Sequence, residues 1–303
     1  MTDRQVLRTD LLDPYLVAQL GGIELVARGI VEGFLAGLHR SPFRGFSVEF
    51  AEDRPYQPGD EPRYLDWRML ARSDRLFVKQ FEQETNLRSM IVVDASASMD
   101  WSGAEGRLTK LEYAKRLVAA LSLVLLRQRD ATGLIAFDEE VRDVVKAGAD
   151  TRHWWVLLRA IDGLRAGRRT AAEGALHRVT DLLHRRGLVV LVSDLLLERE
   201  SVLRALHYLR HRGHHVIVFH LMDPAELTLE GPPEARFEDP ETGVSLVARP
   251  RELRFLYNKT VRSSIAEWRA ACRGGGMQYH HVLTDTPFGY VLRRATARRS
   301  RLG

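Results

Sequence analysis

From residue 89 onward, short apolar runs of strand length alternate with longer stretches whose apolar residues recur about every 3.6 positions. Few folds accept that alternation. Strands are expected at 89–94, 132–137, 188–193, 215–221 and 277–283, with helices at 107–127, 150–161, 171–186, 198–211, 251–272 and from 287. Residues 141–146 read as an edge strand. Repeated strand-helix-strand units give a parallel sheet covered on both faces, so the expected class is α/β, a doubly wound, mostly parallel, Rossmann-like sheet. Residues 225–249 break the alternation: Phe237 and 244–247 flank Asp239-Pro240-Glu241-Thr242-Gly243, which reads as a hairpin inserted in a loop.

Residues 1–88 form a different unit, leaving 89–303 for the sheet domain and its hairpin. Within 11–39, Leu16, Leu20, Ile23, Val26, Ile30, Phe34 and Leu38 keep a helical period. The period then falls to two at Phe46, Val48 and Phe50, and a second strand-like run spans 76–82. Between these runs lies Tyr56-Gln57-Pro58-Gly59-Asp60-Glu61-Pro62-Arg63-Tyr64-Leu65-Asp66-Trp67. Pro58-Gly59 suits a type II turn, Asp60 ahead of Pro62 suits a helix cap, and Arg63 and Asp66, three apart, can pair within one turn. Trp67 supplies apolar area for docking this unit on the sheet domain. A structural role is favoured for the motif; the alternative is a partner surface.

The net charge of +5 suggests nucleic acid until its distribution is read. Residues 249–303 hold twelve Arg or Lys against three Asp or Glu, a balance of +9 that leaves −4 for the rest. Only five of the 45 basic residues are lysine, and no aromatics are interleaved with Arg293, Arg294, Arg298, Arg299 and Arg301. The basic end therefore reads as a solvated or partner-facing surface, with nucleic acid or acidic lipid as the weaker alternative. A single cysteine, Cys272, excludes an intrachain disulfide and any metal site built on several thiolates. No apolar run reaches the ~18 residues of a membrane span, and residues 1–8 show no signal-peptide pattern, so the expected location is the cytoplasm.

Ligands of open α/β sheets bind outside the carboxyl ends of the strands. The first core strand ends in Asp94-Ala95-Ser96-Ala97-Ser98-Met99, and residues two apart in extended chain share a face. Asp94, Ser96 and Ser98 thus offer one carboxylate and two hydroxyls to one point, a set suited to a hard ion such as Mg²⁺. The strand at 188–193 is followed by a second carboxylate, Asp194, and Thr170 lies just before the helix at 171. Taken singly, each of these residues reads equally as a helix cap or turn residue. Their common place at the sheet edge is what favours a metal.

Asp94, Ser96, Ser98, Thr170 and Asp194 resemble the metal-ion-dependent adhesion site of von Willebrand factor A-like domains. The motif Tyr56-x-Pro-Gly-Asp-x-x-Arg63-x-x-Asp66-Trp67, with Arg72 and Phe77-Val78-Lys79-Gln80-Phe81-Glu82, resembles the bacterial family known as domain of unknown function 58. The two motifs in this order cover nearly the whole chain. Many members are encoded beside MoxR-type AAA+ ATPases, so the resemblance implies a metal-dependent protein-binding adaptor working with such an ATPase. It implies one divalent ion, Mg²⁺ or else Mn²⁺ or Ca²⁺, held by those five residues with a position left for an acidic partner side chain. Where related domains often carry glycines, this chain has Arg168 and Arg169; these weaken metal binding electrostatically and can clamp an incoming carboxylate, and with Met99 they are the expected partner contacts. The hydrophobic N-terminal anchor of other members is not expected here, and oligomeric state is left open.

The rival class is an enzyme, a phosphotransferase or phosphohydrolase with Asp94 as nucleophile. It lacks a second carboxylate two residues on, where Ser96 stands, and a lysine after a later strand, since 215–221 is followed by Met222-Asp223-Pro224. Gly274-Gly275-Gly276 precedes a strand instead of following one, which removes a phosphate-binding loop. His207 and His211 share a helix face but read as solvated; His280 and His281 alternate in a strand, so one is expected in the core and one at the surface. Of Trp154 and Trp155, at least one is expected in the core.

Overall fold

A computed structural model of the chain describes residues 14, 22–39, 53–56, 76–79, 88–150, 152–167, 172–229, 232–240 and 242–296. Its elements in chain order are α1 (Ile23–His39), β1 (Asp53–Pro55), β2 (Phe77–Lys79), β3 (Arg88–Asp94), a 3-10 turn (Ala97–Asp100), α2 (Lys110–Arg127), β4 (Ala131–Phe137), β5 (Val141–Gly148), α3 (His153–Gly163) and α4 (Ala172–Leu182). There follow β6 (Gly187–Ser193), α5 (Arg199–His211), β7 (His215–Met222), α6 (Ala225–Thr228), β8 (Ala235–Glu238), β9 (Ser245–Ala248), α7 (Pro250–Gly274), β10 (Gln278–Leu283) and α8 (Phe288–Thr296).

Six strands form the central sheet in the order β10-β7-β6-β3-β4-β5, all parallel except the edge strand β5, which runs antiparallel to β4. The mostly parallel α/β class expected from the sequence is the observed one. β3 and β6 read as unbroken apolar runs because both faces are covered. Alternate residues feed two cores. Ile91, Val93, Val190, Val192 and Phe219 meet α2, α3 and α8 on one face; Val92, Val189, Leu191, Val216 and Val218 meet α4, α5 and α7 on the other. Each such side chain, withdrawn from water, contributes about 1.5–3 kcal/mol before the entropy of ordering it is counted. Gly187 is required where β6 starts, since a Cβ there would lie 2.0 Å from the Arg88 carbonyl oxygen.

Chain order reverses between β3 and β6: β4 and β5 extend to one side, β7 and β10 to the other. Ligands of open α/β sheets bind beside such a reversal, which here falls at the carboxyl ends of β3 and β6. α1 sends Val26, Ala27, Ile30, Val31 and Phe34 into the first core, packing on α2, α3 and α8. β1 and β2 pair antiparallel and bracket the Tyr56 motif, with the Tyr56 amide donating to the Leu76 carbonyl at 2.9 Å. The remaining motif residues Pro58, Gly59, Asp60, Arg63, Asp66 and Trp67, and the expected strand around 46–50, lie outside the described residues. The inserted hairpin is β8 paired with β9, turning where Gly243 has φ +71°. Trp154 is in the core while Trp155 is exposed. Among the described residues no helix is long and apolar enough to cross a membrane.

Candidate metal centre

β3 delivers Asp94 to that sheet edge as its last residue, and Ala95 stays on the sheet by donating its amide to the Phe137 carbonyl at 2.8 Å. The chain then folds back on itself. The Ser96 amide donates to Asp94 Oδ1 at 3.0 Å, and the 3-10 turn that Ser96 opens brings the hydroxyls of Ser96 and Ser98 to 3.1 Å from each other. Val93 pairs with Val192 in the neighbouring strand, so Ser193 stands beside Asp94 and donates its hydroxyl to Asp94 Oδ2 at 2.6 Å. Ser193 also accepts from the Leu195 amide at 2.9 Å, and Leu195 takes the left-handed backbone (φ 54°) that turns the chain at Asp194. Asp94, Ser96, Ser98 and Asp194 are respectively 0, 0, 5 and 2% exposed.

Electrostatics set this cluster apart from ordinary caps. Burial, and then the charge of Asp194, push the Asp94 carboxyl up to about 7 against the hydrogen bonding from Ser193 and Ser96. Neither of those donors is a cation. A buried carboxylate beside a second carboxylate and two hydroxyls is a donor set that a hard divalent ion fits, so Asp94, Ser96, Ser98 and Asp194 pass the chemical test for a metal centre. Among the described residues there is no group of three His, Cys, Asp or Glu side chains able to hold a metal, so an ion here would need the hydroxyls as well as the carboxylates.

One side chain here went unforeseen. Lys110 opens α2 and is 1% exposed, with its ammonium donating to Asp194 Oδ2 at 2.8 Å and to Glu226 Oε1 at 2.7 Å. Burial opposes its charge, but Asp194 and Glu226 outweigh that and raise its pKa. The local signal was present: Thr109 caps the helix by accepting from the Glu112 amide at 3.2 Å, which puts a lysine at the positive end of the helix dipole, a costly place unless carboxylates surround it. Beyond it, Asp223 is wholly buried, accepting from Arg107 at 2.7 Å, from the Ala225 amide at 2.8 Å and from the Thr284 hydroxyl at 3.2 Å. His220 is pushed down to about 3, by burial first and then by His281, and is therefore neutral; its Nδ1 pairs with the Tyr279 hydroxyl at 2.6 Å.

Met99, expected at the partner surface, is 0% exposed and packs in the core under α2, because the 3-10 turn aims it inward. Arg168, Arg169 and Thr170 lie outside the described residues, though Gly167 just before them donates to the Ala95 carbonyl at 2.6 Å, next to Asp94. His280 and His281 do not split into core and surface: both are half-buried, His280 stacking on Phe219 and His281 meeting His220 on the opposite face.

Residues 52–267 match the model of the family described as Protein of unknown function DUF58. The uncharacterized protein Rv1480 of Mycobacterium tuberculosis is 30% identical over 242 residues, 79% of this chain and 75% of that one. Among solved structures, the chain is similar to the conserved hypothetical protein BatB from Bacteroides thetaiotaomicron, at 16% identity and TM-score 0.46 over 71% of this chain and 99% of that one. It is also similar to the SpRpn10 VWA domain, at 12% identity and TM-score 0.40 over 69% of this chain and 95% of that one.

Proposed function

This chain belongs to the DUF58 family, and from that premise we propose that it is a metal-dependent protein-binding adaptor whose partner is a MoxR-type AAA+ ATPase. The observation that carries the reading is the buried oxygen set at the strand-order reversal, in which Asp94 accepts from the Ser96 amide and the Ser193 hydroxyl and, among the described residues, from no cation. When bound, a divalent ion such as Mg²⁺ supplies an electrophilic coordination position for a carboxylate of the partner. Asp94 would hold the ion, Asp194 would hold it directly or through water, and Ser96 and Ser98 would serve as neutral donors that leave its charge largely available. Thr170 is the fifth proposed ligand, and Arg168 and Arg169 the proposed clamp for the incoming carboxylate.

An adaptor is favoured over a phosphotransferase because Asp94 is engaged by Ser193 and Ser96, and the lysine at the site is paired with Asp194 and Glu226. The test is capture of the purified MoxR-type ATPase in Mg²⁺ and in chelator, with the intact chain and with Asp94→Ala. Capture that requires both Mg²⁺ and Asp94 supports the adaptor. Capture indifferent to both removes the metal bridge, and phosphate release from generic phosphoesters that depends on Asp94 replaces the adaptor with an enzyme.

A further inference from the structure

We propose that Lys110 is a tethered internal cation that competes with the divalent ion for Asp194, and that Glu226 retains the ammonium when the ion binds; this rests on the metal reading above. Lys110 holds Asp194 Oδ2 and Glu226 Oε1 at nearly equal distances, 2.8 and 2.7 Å. It stands between the centre and the segment that follows β7. Glu226 is fixed there by its own contacts: its Oε2 accepts from the Asp223 amide at 2.6 Å, and its carbonyl accepts from the Tyr257 hydroxyl of α7 at 2.8 Å. The lysine backbone is fixed too, its amide donating to the Trp101 carbonyl at 3.2 Å. Only the flexible stem between two anchored ends has freedom to shift its weight from one carboxylate to the other.

Charge counting gives the same result. Among the described residues Asp94, Asp194 and Glu226 oppose one ammonium, so these four groups when ionised carry −2, which a single divalent ion neutralises. Asp223 does not enter this balance, because Arg107 pairs with it at 2.7 Å. A buried positive charge against one of the metal's own carboxylates lowers the affinity for a dication, and removing it raises that affinity by at least about tenfold. The competition also links the centre to α6 and α7: whatever draws Lys110 towards Glu226 favours the ion, and whatever weakens Glu226 returns the ammonium to Asp194.

The experiment is Mn²⁺ titration followed by the electron paramagnetic resonance signal of the free ion, at pH 8, on the full chain. Lys110→Met is expected to bind Mn²⁺ at least about tenfold more tightly than the unaltered protein. Lys110→Arg, which keeps the charge, is expected to stay within about threefold, and Glu226→Gln to bind several-fold more weakly. A purely structural role for Lys110 lowers affinity in both Lys110 variants, so the opposite signs are diagnostic. Unchanged or weaker binding by Lys110→Met with a native near-ultraviolet circular dichroism spectrum overturns the assignment. If that variant does not fold, equal or tighter binding by Glu226→Gln overturns it. Binding abolished by Asp94→Asn but not tightened by Lys110→Met removes this inference alone, whereas no Asp94-dependent binding in any variant removes the metal reading with it.

Discussion

Asp94→Asn changes how stability of the metal-free protein depends on pH. The Asp94 carboxyl rises from 3.8 to about 7 on folding because burial and the neighbouring Asp194 disfavour its anion. The folded state thus holds a proton that the unfolded chain releases at lower pH. Relative stability from this group is fully present below about pH 4 and is lost as pH rises through about 7, by about 4 kcal/mol at roughly 1.4 kcal/mol per unit. Asparagine cannot ionise, so the difference between the two proteins reports the titration of Asp94 together with its coupling to Asp194. Urea unfolding in chelator from pH 4 to 8 is the assay, and the unaltered protein is expected to lose ground to Asp94→Asn by that amount across the interval. Millimolar Mg²⁺ at pH 8 is expected to reverse the loss only where Asp94 is present. A flat difference, or one that grows in favour of the carboxylate at high pH, refutes the reasoning: it means that the hydrogen bonds from Ser193 and Ser96 outweigh desolvation.

Gly187→Ala forces a Cβ to within 2.0 Å of the Arg88 carbonyl and splays β3 from β6, so a loss of about 3 kcal/mol or more is expected in a denaturant melt. Cys272 is 0% exposed and its thiol is pushed up to about 11 by burial; it should resist a disulfide reagent at pH 7.5 until urea unfolds the chain, when one thiol reacts. Phe255 is 83% exposed on α7, so Phe255→Ser should leave the thermal midpoint equivalent to within about 0.5 kcal/mol; a larger loss contradicts its placement.

Much of the sheet was legible because local period and global fold agree. The unbroken apolar runs of β3 and β6 need cover on both faces, and the alternation of strands and helices supplies it. Asp94 and Asp194 were legible for a related reason, since each ends or follows such a run. The hairpin was readable from turn residues flanked by apolar ones. Lys110 and Glu226 were not: they are 116 residues apart, and their pairing depends on how the segment after β7 lies over the start of α2. Sequence reasoning sought a lysine after a strand, but the one at the site arrives from a helix N-terminus. Met99 was misread because a 3-10 turn, unlike continued extended chain, rotates the residue after Ser98 into the core. His280 and His281 were misread because β10, although an edge strand, has packing on both faces, from the Phe219 side and from the His220 side.

A divalent ion is proposed to sit where β3 and β6 end. Anomalous scattering from crystals grown in Mn²⁺ at pH 8 tests it most directly. One peak is expected within coordination distance of Asp94, Ser96 and Ser98 and beside Asp194, absent from Asp94→Asn crystals of the same form. A fully soaked crystal with no peak there, or with the same peak after Asp94→Asn, contradicts it.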